Sequence, residues 1–88
     1  MNIVKDTKTL GGVVRQTRKT NGIRIDDAAS FAGVSVDLMS RLENGTSSVR
    51  LDKVLQVLES LGLALVVMTK DEALDLNEQK GQLPCPPQ

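Results

Sequence analysis

The chain has no histidine, tryptophan or tyrosine among its 88 residues, and only one phenylalanine and one cysteine. Histidine is the usual proton shuttle and the commonest metal ligand at neutral pH. Without it, and without a Gly-rich phosphate loop after a strand, no nucleophile has a candidate base. Neither enzyme chemistry nor a metal or other cofactor is expected. Cys85 stands alone between Pro84 and Pro86, so no internal disulfide can form, which suits a reducing, cytoplasmic setting. The longest apolar run, Leu61–Met68, has eight residues and includes Gly62. That is too short to cross a bilayer, and no secretory signal opens the chain. With Phe31 the sole aromatic, one small domain with an aliphatic core is expected.

An excess of either charge is also missing, since the formal net charge is zero. The distribution is uneven, however. Residues 1–24 carry Lys5, Lys8, Arg15, Arg18, Lys19 and Arg24 against Asp6 alone, a local balance of +5. Residues 25–70 hold four bases and six acids, and residues 71–88 hold four acids and Lys80. Phosphate attraction is felt within a Debye length of about 8–10 Å. A basic end can therefore bind nucleic acid on a neutral chain, with strong dependence on salt. Solvated charges that merely keep the protein soluble are the plainer reading of the same cluster.

The periodicity yields four helices. Residues 1–5 form an arm, and Asp6 or Thr7 caps a first helix running to about Thr20, with Leu10, Val13, Val14 and Thr17 along one stripe. Gly11 and Gly12 cost that helix up to about 1 kcal/mol each relative to Ala, unless they permit a close crossing. Asn21-Gly22 stops it. A second helix covers about 25–32, with Asp26 and Asp27 in its first turn and Ala28, Ala29 and Ala32 on its apolar side. A third runs from Ser35 to Asn44 and stops at Gly45. A fourth spans roughly 51–61, buries Leu51, Val54, Leu55, Leu58 and Leu61, and ends at Gly62.

The stretch from 63 to 70 is apolar, rich in β-branched residues and without a helical cap, so it reads as a strand. A lone strand needs a partner, and the simplest is its own copy, paired antiparallel across a homodimer through Leu63, Leu65, Val66, Val67 and Met68. A fifth, irregular helix packed on the core is the other reading. Residues 71–88 are acidic, then Gly- and Pro-bearing, and read as a disordered tail.

Within this frame, Ala29, Gly33, Met39 and Leu42 are separated by four, six and three residues. A small residue at Ala29 permits a close crossing, and Gly33 permits a turn with positive φ. Ser35 caps the next helix, while Met39 and Leu42 seat it on the core. This is the spacing of a helix-turn-helix, whose second helix enters a DNA major groove. Ordinary αα-hairpins share parts of it.

The stretch Gly22–Leu63 closely resembles the Cro/C1 (XRE) family of helix-turn-helix regulators. The matching pieces are Gly22-Ile23, Ala29, Gly33-Val34-Ser35, the run Met39-Ser40-Arg41-Leu42-Glu43-Asn44-Gly45, and Leu51 through Leu61-Gly62. The ending from Leu61 to Val67 is similar to HipB-type antitoxins. That resemblance implies an all-α, four-helix domain over 6–62 with one C-terminal strand at 63–70 shared in a homodimer. It also implies autorepression of an operon and neutralisation of a HipA-type Ser/Thr kinase toxin. A stand-alone repressor is the alternative, and an interaction module that no longer binds DNA is a third. Two departures stand out. Arg24-Ile25 replaces the family's frequent Thr-Gln, whose Gln holds a phosphate, and Val49-Arg50 replaces Pro followed by a capping Ser or Thr.

By the family's docking, Ser35, Val36, Asp37, Ser40 and Arg41 face base edges of operator DNA. Arg41 is the leading reader, since its planar fork can bond guanine O6 and N7 together, worth roughly 1–3 kcal/mol of discrimination. Pairing with Asp37 one turn back is its alternative. Val36 suits a thymine methyl, and Asp37 suits cytosine N4 or the orienting of Arg41. Phosphate contacts are expected from Asn44, Thr46, Ser47 and Arg50 after the third helix, with Lys19 and Arg24 before the second. Asn44 also serves as an ordinary helix stop, and Glu43 is read as structural.

Overall fold

Each helix expected between residues 6 and 62 forms in a computed structural model, which describes residues 3–46 and 48–78. The order is α1 (Thr7–Thr20), α2 (Ile25–Ala32), α3 (Val36–Asn44), α4 (Leu51–Ser60) and α5 (Lys70–Glu78). Asp6, not Thr7, caps α1: its carboxylate accepts from the Thr9 N–H at 2.8 Å. Hydrogen bonding with Thr9, through its hydroxyl and then its N–H, holds that carboxyl below its ordinary pKa. Ser35 caps α3 from outside, accepting from the Leu38 N–H at 3.0 Å. Helix α4 starts at Leu51 behind Arg50, with no side-chain cap.

The core is aliphatic, as the composition required: Val14, Ala28, Ala29, Ala32, Met39, Leu42, Val54, Val57 and Leu58. Helix α3 packs on both α1 and α2, and α2 packs on α4. Phe31, Leu51 and Leu55 lie exposed, so α4 buries Val57 where the stripe pointed to Leu51 and Leu55. Gly33 turns the chain between α2 and α3 at φ 75°. Gly45 has both a left-handed φ of 64° and a tight neighbour, because a Cβ there would lie 2.7 Å from the Lys8 Cα. The start of α1 thus rests on the end of α3, where the Thr7 hydroxyl donates to the Gly45 carbonyl at 3.0 Å.

Two further expectations change. Leu63–Thr69 is not a strand: it runs irregularly between α4 and α5, and no ladder forms among the described residues. A ladder needs a second strand, and the described residues of one copy offer none. Leu65, Val66 and Val67 are left exposed, Val67 to 89%, whereas Leu63 packs on the monomer's own core. The stretch also stops one residue short of the expected 70, because Lys70 opens α5.

The acidic tail, expected to be disordered over 71–88, is instead helical as far as Glu78. The reason is a reciprocal cap. The Thr69 hydroxyl accepts from the Glu72 N–H at 3.2 Å, and the Glu72 carboxylate accepts from the Thr69 N–H at 3.1 Å. Two orphan amides at the helix start are thereby satisfied, and the bonds that the carboxylate accepts, from the Thr69 N–H foremost and then from its hydroxyl at 3.0 Å, lower the Glu72 pKa. The rest of the expected tail, with Cys85, lies outside the described residues.

Candidate nucleic-acid interface

Helix α3 sorts its side chains by period. Met39, Leu42 and Glu43 point inward and are buried, while Ser35, Val36, Asp37 and Asn44 are exposed and Ser40 and Arg41 half-buried on the opposite side. The five residues expected to read bases therefore share one outward face. Val36 and Asp37 stand open on it, and the loop at Ser48 reaches it beside Arg41.

A brace behind that face holds it in place. The Arg18 guanidinium of α1 donates from Nε and Nη2 to the two Glu43 carboxylate oxygens at 2.7 and 2.9 Å, and from Nη1 to the Ile23 carbonyl at 2.9 Å. The Arg18 and Glu43 side chains are only 12% and 4% exposed. The hydrogen bonds to Glu43 raise the Arg18 pKa against the opposing effect of burial. One guanidinium thus ties α1, the last turn of α3 and the α1–α2 connection into a unit. Glu43 is structural, as expected. Arg18 carried no signal of this role, because its partner lies 25 residues away.

Above this brace Gly11 brings α1 onto α3. A Cβ at Gly11 would press on the Leu42 carbonyl oxygen and lie 2.5 Å from the Glu43 carbonyl oxygen. Gly12 faces open space. The close crossing that two glycines allowed therefore uses only the first.

Arg41 is held between two groups at the other edge of the face. Its Nε sits 3.2 Å from the Asp37 carboxylate, and Nη1 donates to the Ser48 carbonyl at 3.4 Å. The ion pair expected as the alternative to base reading is therefore present. It is nevertheless poorly aligned: Nε is shielded from solvent yet makes no hydrogen bond among the described residues. A shielded donor without an aligned acceptor is costly, and moving to a better acceptor recovers that cost. The geometry thus accommodates both roles, a parked guanidinium in the free protein and a fork available to a base edge.

The expected phosphate contacts flank this face unevenly. Lys19 and Thr46 are exposed. Arg24 and Arg50 are exposed but paired, with Asp26 at 3.2 Å and Asp52 at 2.9 Å. Exposed pairs of this kind are worth about 0–1 kcal/mol, so a phosphate can displace the carboxylate. The Asn44 amide donates to the Ser40 hydroxyl at 3.4 Å, and Asn44 is also the last residue of α3 before the stop at Gly45. Ser47 lies outside the described residues. Ile25 packs against the core, so its side chain offers no phosphate donor.

One feature was not foreseen. A hollow of about 240 Å³ opens between α1, the start of α2 and α3, lined by Arg15, Arg18, Ile25, Ser40, Glu43 and Asn44. Among the described residues no His, Cys, Asp and Glu side chains gather into a metal-binding group, and no helix is long and apolar enough to cross a membrane.

Comparison with known proteins agrees with this geometry. Residues 9–69 match a helix-turn-helix domain family. An uncharacterized HTH-type transcriptional regulator, y4mF, from Sinorhizobium fredii (strain NBRC 101917 / NGR234) is 35% identical over 69 residues, spanning 78% of this chain and 91% of that one. Among solved structures, HipB in a HipA-HipB-O2-O3 complex superposes with a TM-score of 0.72 at 20% identity, covering 80% of this chain and 99% of that one. HipB(S29A) in complex with an O2 20mer gives the same TM-score and identity, with 97% of that chain covered.

Proposed function

This chain belongs to the Cro/C1 (XRE) type of helix-turn-helix regulators, with a fold like that of HipB, and on that premise we propose that it is a dimeric antitoxin repressing its own operon. It is a DNA-binding protein by family, and α3 is the element that enters the major groove. Ser35, Val36, Asp37, Ser40 and Arg41 face base edges. Lys19, Arg24, Asn44, Thr46, Ser47 and Arg50 hold phosphates. The observation that carries the reading is the outward face of α3, braced from behind by Arg18 and Glu43.

Leu65, Val66, Val67 and Met68 pair with the same segment of a second copy. The support is physical: an exposed, β-branched apolar stretch without regular backbone pairing among the described residues invites a partner strand. Such a dimer places two α3 helices about 34 Å apart, or a multiple of that, on a near-palindromic site. A HipA-like Ser/Thr kinase toxin is the proposed protein partner, working with this chain in the cytoplasm. The fold likeness to HipB supports it. A stand-alone repressor without a toxin is favoured instead by the relative named as a transcriptional regulator.

The test joins two measurements. Affinity purification of the chain from its native cells should recover a kinase-fold protein, and the complex should footprint on DNA upstream of its own gene. Footprinting without a kinase-fold partner would leave the stand-alone repressor. Loss of the footprint's base preference is expected on Arg41→Ala. Retention of that preference would remove Arg41 as a reader.

A further inference from the structure

We propose that Arg15, with Ser40 and Asn44, forms a phosphate-binding notch that grips the DNA strand on the α1 side of α3. This rests on α3 being the helix that enters the groove.

The cations around α3 differ in whether a carboxylate already holds them. Of the arginines around α3, Arg18 is spent on Glu43, Arg24 is paired with Asp26, Arg41 with Asp37 and Arg50 with Asp52. Arg15 makes no ion pair among the described residues, is exposed and lines the hollow. Lys8, Arg15 and Lys19 are spaced by seven and four residues, so they share one stripe of α1. The contact of Gly11 with the end of α3 lays that stripe alongside the outward face.

The chemistry of the hollow suits a phosphodiester. Arg15 supplies a planar fork of donors, Ser40 a hydroxyl and Asn44 an amide. The one acid in the lining, Glu43, has both oxygens engaged by Arg18, so its charge is compensated. At ~30 Å³ per water, a hollow of about 240 Å³ admits a phosphate group together with bridging water.

Position completes the case. A major groove about 12 Å wide has a phosphate strand along each edge. On the Arg41 side the loop after α3 approaches through Ser48, whose carbonyl Arg41 reaches, and the expected contact at Arg50 lies two residues further on. The Arg15 notch lies on the Ser40 and Glu43 side. With a clamp at both edges the recognition helix is fixed in register, whereas one clamp leaves it free to roll.

The test is fluorescence anisotropy with two short labelled duplexes, one taken from upstream of the chain's gene and one with that sequence shuffled. Binding is followed at roughly 50–200 mM salt. Arg15→Ala should weaken both duplexes by the same factor, about three- to tenfold, and lower the slope of log affinity against log salt by about 1 per protomer. Arg15→Lys should keep the slope and regain most of the affinity. Arg15 is exposed, so both variants should melt as the wild type does.

Unchanged affinity and slope in Arg15→Ala, with wild-type binding intact, would overturn the notch and leave α3 as the reading helix. A loss confined to the upstream duplex would also overturn it, since a phosphate contact is blind to sequence. If the wild type bound neither duplex at low salt, the groove-entering role of α3 and the notch would fall together.

Discussion

Substituting the two neighbouring glycines of α1 one at a time should move stability in opposite directions. At Gly11 a new Cβ would lie 2.5 Å from the Glu43 carbonyl oxygen and 2.8 Å from its carbon. Relaxed contacts of this kind sit near 3.5 Å, so α1 must retreat by roughly 1 Å, and the atoms in the way are backbone of α3. Overpacking alone costs about 1–3 kcal/mol. The retreat also stretches the Arg18–Glu43 hydrogen bonds from 2.7 and 2.9 Å, and bonds to charged groups are worth about 1.5–3 kcal/mol each. Against this stands the helix-propensity gain of Ala over Gly, about 1 kcal/mol.

The net expectation for Gly11→Ala is a loss of about 2–4 kcal/mol, the overpacking and bond losses outweighing the propensity gain. For a domain of this size each 1 kcal/mol moves the midpoint by about 4–8 °C, so Tm should fall by about 8 °C or more. Gly12→Ala meets nothing within 4 Å. It should gain about 0.5–1 kcal/mol and melt a few degrees higher. Far-UV circular dichroism melts at one fixed protein concentration give the comparison, since a dimer's Tm depends on concentration. If Gly11→Ala melted at or above the wild-type temperature, the close α1–α3 crossing would be wrong. If Gly12→Ala lost as much as Gly11→Ala, so would the assignment of one glycine to the contact.

Removing the Glu43 carboxylate leaves Arg18 buried and unpaired, so Glu43→Ala should cost about 3–5 kcal/mol in chemical denaturation; a cost under ~1 kcal/mol would mean the brace is ornamental. Hydrogen bonding depresses the Asp6 pKa in the fold, so its capping contribution is complete above the unfolded value of ~3.9 and disappears as pH falls through the lower folded value. Comparing pH-dependent melts of wild type and Asp6→Asn isolates that contribution: the difference should be flat near neutrality and change only in acid, and a difference emerging near neutral pH would contradict the cap. For the proposed dimer, Val66→Pro removes a ladder donor, and sedimentation should report monomer where the wild type is dimeric; an unchanged dimer would rule out strand pairing through this segment.

Local signals in the chain specify local structure. Helix stripes at 10, 13, 14 and 17, the αL glycines at 33 and 45, and the Ser35 cap are short-range patterns, and the helices follow them closely. The Thr69…Glu72 capping pair was just as local. Acidic composition masked it, because charge density argues for disorder while a reciprocal cap argues for a helix start. The outward face of α3 was legible too, since burying Met39 and Leu42 leaves Ser35, Val36, Asp37, Ser40 and Arg41 no other side to occupy.

Tertiary structure decided what depended on partners distant in the chain. Only the crossing of α1 over α3 distinguishes Gly11 from Gly12. Only that same crossing joins Arg18 to a carboxylate 25 residues on and sets Arg15 beside Ser40 and Asn44. Sequence spacing specifies which face of a helix is apolar, but not which neighbour covers it or at what distance. That choice belongs to the packed core as a whole, where a difference of 1 Å between backbones separates a tolerated methyl group from a broken ion pair.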